Sequence, residues 1–128
     1  MITKERIKLL EELMGVLGYQ FKDLELLNLA FVHRSYLNEY KDVKISNERL
    51  EFLGDVVLGF VVSVELYSQF PDSDEGYLTK IRSKIVCEES FSYAARIFNL
   101  GKYLLLGKGE DSFGGRDRNS ILADTFEA

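Results

Sequence analysis

Glu48, Glu51 and Asp55 stand three and four residues apart within the stretch Asn47-Glu48-Arg49-Leu50-Glu51-Phe52-Leu53-Gly54-Asp55. On a helix that spacing stacks the three carboxylates on one narrow stripe. Like charges so stacked repel, and taking them out of water is costly unless a cation is near. A second acidic pair, Asp124 and Glu127, is also three apart and shares a helical face. If the two segments pack together, Glu51, Asp55, Asp124 and Glu127 converge, and their charge balances a pair of divalent cations. Oxygen-only ligands select hard ions such as Mg²⁺ or Mn²⁺ over zinc. Two such ions about 4 Å apart can activate a water, hold a phosphate and stabilise a leaving oxygen. A solvated acidic face is the plainer alternative, and spacing alone leaves both open.

Helices must position these groups. The rhythm of apolar residues predicts a helix over Thr3 to Leu17, stopped by Gly18, and a second from an Asp23 cap to about Val32. The polar stretch Asn38 to Ser46 reads as a loop. Asn47 is expected to cap a long central helix that runs to about Phe70 and ends before Pro71. Asp72 to Asp74 opens a further helix to roughly Cys87, and another covers Glu88 to Phe98, with Asn99 and Gly101 as its stop. Gly107 to Arg118 reads as a mobile glycine-rich loop, and Asn119 or Ser120 as the cap of a last helix. Tyr103 to Leu106 is the only strand candidate, so the expected class is all-α.

On a wheel of the central helix with Glu48 at zero, Glu51 falls at about 300° and Asp55 at about 340°. Leu50, Leu53, Val57 and Val61 gather at about 140° to 220°, the expected core side, on a helix expected to be largely buried. Phe52, at about 40°, points away from that side beside the acids, which suggests a protein partner.

Composition narrows the function classes. A chain of 128 residues that is 46% hydrophobic makes one globular domain. A net charge of −5 and a pI near 4.9 argue against nucleic-acid binding by bulk charge, though not against a nuclease whose acids are masked by metal. The single cysteine, Cys87, excludes an internal disulfide and a multi-cysteine zinc site, and fits a cytoplasmic setting. Val56 to Val64, the longest apolar stretch, is too short to span a bilayer, and the N-terminus lacks a signal-peptide apolar segment.

Other chemistry-bearing residues read blandly. His33, the lone histidine, is expected to be structural, and without a nucleophile elbow it supports no Ser-His-Asp triad. It also lies outside the Glu-x-x-His pattern that an iron-handling dimetal bundle needs. Cys87 is expected to be a small buried side chain. Lys80 and Lys84 read as a solvated edge. Lys108, Arg116 and Arg118, in the loop before the second acidic pair, are better phosphate candidates.

The stretch from Asn47 to Asp55 resembles the signature of the ribonuclease III family. Leu29-Ala30-Phe31-Val32-His33-Arg34-Ser35-Tyr36 resembles the family's upstream motif, and Gly76-Tyr77-Leu78-Thr79-Lys80-Ile81-Arg82-Ser83 its middle helix. Gly107 to Glu110, Gly114 to Arg116 and Ser120 to Ala128 resemble its closing segments. The resemblance covers essentially the whole chain, in order. It implies an all-helical endonuclease domain that forms a homodimer and hydrolyses double-stranded RNA with Mg²⁺, or Mn²⁺ as a substitute. The products would carry 5′-phosphate and 3′-hydroxyl ends, in processing of rRNA, mRNA or other duplex precursors.

By the same resemblance Glu51, Asp55, Asp124 and Glu127 match metal-binding positions, with Asp55 and Glu127 those most often called catalytic. Glu48 and Glu75 match further acids bordering the cleft, or acting from the second subunit. Phe52 matches an aromatic that enters a pocket on the partner. Thr79 and Cys87 stand where serine is usual, and Asn119 where glutamate often stands; none is an expected ligand. Family members continue past the Asp124–Glu127 helix, commonly into a double-stranded-RNA-binding domain. The expectation is therefore a catalytic domain incomplete at its C-terminus, with Glu127 in a turn prone to fray.

Overall fold

The computed structural model describes residues 2–128. Helix α1 covers Lys4–Leu17, α2 Leu24–Ala30, the short α3 Tyr36–Glu39, and the long α4 Glu48–Gln69. Helices α5 (Glu75–Ile85) and α6 (Glu88–Ile97) follow, then a 3₁₀ turn over Leu100–Tyr103. Helix α7 (Lys108–Ser112), a second 3₁₀ turn over Gly115–Asp117 and α8 (Asn119–Glu127) complete the described residues.

Local chemistry sets most boundaries. The Thr3 hydroxyl accepts from the Arg6 N–H at 3.2 Å, and α1 ends where Gly18 takes φ 65°. Asp23 and Asp74 cap α2 and α5 by accepting from the Leu26 and Tyr77 N–H groups at 2.9 and 2.8 Å. Asn99 is the left-handed stop after α6, at φ 53°. Helix α4 ends one residue sooner than expected, before Phe70 and Pro71.

Asn47 holds the cap position of α4, as expected, but its side chain makes no capping bond. It is buried, its Nδ2 donates to the Ala30 carbonyl at 3.0 Å, and its N–H donates to the Val32 carbonyl at 2.8 Å. The amide thus ties the start of α4 to the end of α2, a long-range use that local capping rules do not anticipate. Neither Asn119 nor Ser120 caps α8; Arg118 holds the cap position without a side-chain bond. The Tyr103–Leu106 strand candidate reduces to one isolated parallel bridge between Val32 and Leu105. There the His33 N–H donates to the Leu105 carbonyl at 3.1 Å and the Leu105 N–H to the Phe31 carbonyl at 2.8 Å.

The segment from Gly107 to Arg118 is not an irregular loop but α7 plus a 3₁₀ turn. Arg116 fixes it, donating Nη1 to the carbonyls of Leu104 (2.7 Å) and Gly101 (3.1 Å), with Nε 2.8 Å from Asp111. Glycine content suggested disorder, yet Gly107 and Gly115 serve close approach. A Cβ at Gly107 would lie 2.6 Å from the Ser35 carbonyl oxygen, and one at Gly115 2.8 Å from that of Glu110.

The core joins Leu10 and Leu13 of α1, Leu27 of α2, Phe31, Ala95 of α6, Tyr103, Leu104, and Ile121 and Leu122 of α8. Helix α8 packs most extensively on α6, where the Phe91 and Phe126 rings lie 5.5 Å apart, and then on α4. Burying these side chains contributes about 1.5–3 kcal/mol each.

The orientation of α4 departs from the wheel. Its inward seam runs Leu50, Gly54, Leu58, Val62 and Leu66, a row of i, i+4 positions. Leu53, Val57 and Val61 are exposed, with Val57 half open to solvent. They continue a face with Phe52 (78% exposed), Val56, Phe60 (68%) and Tyr67 (77%). A helix apolar on nearly every side carries no periodicity to say which side meets its own chain. Among the described residues no helix is long and apolar enough to cross a membrane.

Candidate metal centre and its cleft

Gly54 lets two distant carboxylate pairs meet. A Cβ there would lie 1.6 Å from the Glu127 carbonyl oxygen and 3.3 Å from its Cα, so α8 rests directly on the α4 backbone. With the last turn of α8 seated at Gly54, Glu127 faces Glu51, one turn earlier on α4, and Asp124 follows on the same side of α8. Carboxylate oxygens of Glu51, Asp124 and Glu127 all lie within 4.8 Å of one another. Asp55 borders this trio on an exposed part of α4, close enough for its charge to raise Glu127. The structure therefore unites three of the four acids singled out as metal ligands, with Asp55 beside them rather than among them.

Their electrostatics are those of a site short of positive charge. Glu127 is pushed up to about 7, first by burial and then by Asp55, Asp124 and Glu51. Burial, then Asp124, Glu48 and Asp55, also raise Glu51. Asp124 is raised by burial and by Glu88 at the start of α6, while Arg34 acts the other way. None of the four forms a salt bridge with a lysine or arginine among the described residues. Half-buried carboxylates that crowd to the point of retaining a proton, and that offer only oxygen, fit a hard divalent cation.

A cleft of about 310 Å³ opens beside the cluster. Glu48, Glu51 and Asp124 line its acidic side, and Glu48 is steadied by the Ser46 hydroxyl at 2.6 Å. His33, Arg34 and Arg118 line it as well. His33 Nδ1 accepts from the Ser35 N–H at 3.2 Å and lies 2.8 Å from the Ser35 hydroxyl. That hydroxyl accepts from the Gly107 N–H at 2.9 Å, so its own proton is free to reach Nδ1, leaving the imidazole N–H at Nε2. Burial holds His33 below its usual range, a neutral ring at pH 7. The structural reading of His33 thus holds for Nδ1, although the residue also borders the site.

Other expectations fare differently. Glu75 is not brought to the cluster within this chain; it sits in the first turn of α5 and accepts from the Thr79 hydroxyl at 2.7 Å. Phe52 is exposed, away from its own chain's core. Cys87 is half-buried rather than buried, with Sγ 3.3 Å from the Lys84 carbonyl and from the Ser90 hydroxyl. Arg116 is committed to backbone carbonyls, and Arg118 pairs with Glu110 at 2.6 Å, which leaves Lys108 as the one of the three without an ion pair among the described residues. Glu88, Arg34 and Glu110 went unread as site residues. Their proximity is set by chain folding, and no spacing in the sequence signals it.

Comparison with known proteins shows the family. The Ribonuclease-III-like family model matches residues 23–128. The ribonuclease 3 of Listeria monocytogenes is 50% identical over 119 residues, covering 92% of this chain and 52% of that protein. That of Natranaerobius thermophilus is 54% identical over 119 residues, covering 93% and 50%. The chain thus spans about half the length of these curated relatives. The solved nuclease domain of ribonuclease III from Campylobacter jejuni superposes with a TM-score of 0.84 at 43% identity, over 91% of this chain and 78% of that one. That structure is described as flexible in the region involved in dimer formation. With the signature on α4, the fold and the acidic cluster all in agreement, this chain belongs to the ribonuclease III family.

Proposed function

We propose that this chain is the catalytic domain of a Mg²⁺-dependent endoribonuclease that cuts double-stranded RNA to 5′-phosphate and 3′-hydroxyl ends. RNA processing in the cytoplasm, on rRNA, mRNA or other duplex precursors, is the matching role. The observation that carries this reading is the convergence of Glu51, Asp124 and Glu127, with ligand oxygens within 4.8 Å of one another, at a cleft wide enough for a phosphodiester.

Glu51, Asp124 and Glu127 are the residues to hold divalent cations, Mg²⁺ or Mn²⁺, with Asp55 beside them. A hard divalent ion bound there supplies a water of lowered pKa and neutralises charge building on the leaving oxygen. Asp55 is the residue to orient the attacking water, because it is exposed at the edge of the cluster and its charge already acts on Glu127. Glu127 must release its proton to act as a ligand, so the site is poised near neutrality. Glu48 extends the acidic wall, and Glu75 is left to act on RNA or from a second subunit. Duplex RNA offers 2′-hydroxyls and phosphates across a shallow minor groove, so shape should dominate recognition.

A homodimer is the matching assembly. The exposed face of α4 from Phe52 to Tyr67 is apolar over several turns, which an isolated chain in water rarely tolerates. Phe52 is the residue to enter the partner subunit, and a two-fold axis would give one site for each strand.

Incubating the chain with duplex RNA in Mg²⁺ and in Ca²⁺, read on a sizing gel, tests the reading. Cleavage in Mg²⁺, binding without cleavage in Ca²⁺, and loss of cleavage in Asp55→Asn are expected. Equal cleavage by wild type and Asp55→Asn, or none by wild type in Mg²⁺, refutes it.

A further inference from the structure

Seven arginines occur in the chain, and five have defined side-chain partners: Arg6 with Asn28, Arg82 with Ser63, Arg96 with Asp117, Arg116 with Asp111 and Arg118 with Glu110. Among the described residues Arg34 and Arg49 make no ion pair, and of these two only Arg34 lines the cleft beside the acidic cluster. Its position is fixed from both sides. The His33 N–H is tied to the Leu105 carbonyl at 3.1 Å, and the Ser35 hydroxyl receives the Gly107 N–H at 2.9 Å. An exposed arginine on so rigid a backbone, sharing a cleft with Glu48, Glu51 and Asp124, would close onto a carboxylate if its role were to neutralise one. It stands open instead, although its charge is felt at Asp124. The cleft they share has a volume of about 310 Å³, and a guanidinium presents paired donors that match a phosphate.

We infer that Arg34 is a substrate-contact residue whose guanidinium binds an RNA phosphate in the cleft it shares with the carboxylates Glu51 and Asp124. The inference rests on the nuclease reading and names a contact within it. Arg118 flanks the same cleft, but Glu110 already matches its charge.

The test measures duplex-RNA affinity in Ca²⁺ over a series of KCl concentrations for wild type, Arg34→Ala and Arg34→Lys. Alanine should weaken binding about tenfold at low salt and reduce the slope of log Kd against log salt by about one. Lysine should restore the slope but only part of the affinity. Calorimetric Mg²⁺ affinity without RNA should be unchanged or slightly tighter in Arg34→Ala, with the same Tm as wild type. An unchanged slope overturns the inference. So does lost RNA binding that tracks weakened Mg²⁺ affinity or a lowered Tm, which would make Arg34 an internal counter-ion. If wild type cuts RNA while Arg34→Ala behaves identically, only this inference falls; if wild type neither binds nor cuts, the nuclease reading falls and takes this one with it.

Discussion

Substituting Gly54 by alanine tests how the centre is assembled without touching a ligand. The added Cβ would sit 1.6 Å from the Glu127 carbonyl oxygen, so that oxygen must retreat by about 1.4 Å to reach the 3.0 Å below which real Cβ contacts do not occur. Neither partner can yield by rotating a side chain, because the clash is with backbone. Mg²⁺ ligands are held to within about 0.2 Å of their preferred distances, so a shift of that size takes Glu127 out of a shared coordination shell. A 1 Å misplacement in a catalytic constellation costs about 100-fold in rate, and Gly54→Ala should lose at least that in duplex-RNA cleavage.

Stability should fall by up to about 2 kcal/mol. Alanine gains about 1 kcal/mol over glycine inside a helix, against about 1–3 kcal/mol for overpacking. Circular dichroism should therefore show the helices intact, while calorimetry shows Mg²⁺ affinity lost. Gly15→Ala is the control: nothing lies within 4 Å of its Cβ position, and α1 should gain stability with cleavage unchanged. Wild-type Mg²⁺ affinity and cleavage in a folded Gly54→Ala chain would refute the argument that the α4–α8 approach builds the centre.

Glu127 sets the pH behaviour. An acid whose folded pKa, about 7, exceeds its unfolded value binds more protons when folded, so metal-free stability declines as pH rises through the window from about 4.5 to 7. Mg²⁺ affinity, titrated calorimetrically, should rise across the upper part of that window. Glu127→Gln should abolish cleavage yet raise the metal-free Tm at pH 8, measured by scanning calorimetry. Phe60→Asp, on the exposed face of α4, should shift sedimentation toward a monomer with far-ultraviolet dichroism unchanged; an unaltered sedimentation coefficient counts against that face as the interface. Arg116→Ala removes charge-assisted bonds to two carbonyls and to Asp111, and urea unfolding should show a loss of about 2–3 kcal/mol.

What the sequence determined was local or written into one motif. The cap at Asp23, the helix starts near Thr3 and at Asp72 to Asp74, the stops at Gly18, Asn99 and Pro71, and the helical class all follow from short-range rules of backbone and side chain. The acids of α4 and α8 were legible as candidates because carboxylates stacked at helical spacing in an apolar setting call for a cation. Only the tertiary structure decided that they share one centre, since that depends on a missing Cβ at Gly54 bringing two backbones into contact from opposite ends of the chain.

The same holds for Asn47, which looks like a cap and is a buried tie, and for the glycine-rich segment, which Arg116 pins into helical turns. The orientation of α4 was beyond sequence reading for a different reason. Hydrophobic periodicity reports which side chains leave water, not whether the surface that covers them belongs to the same chain.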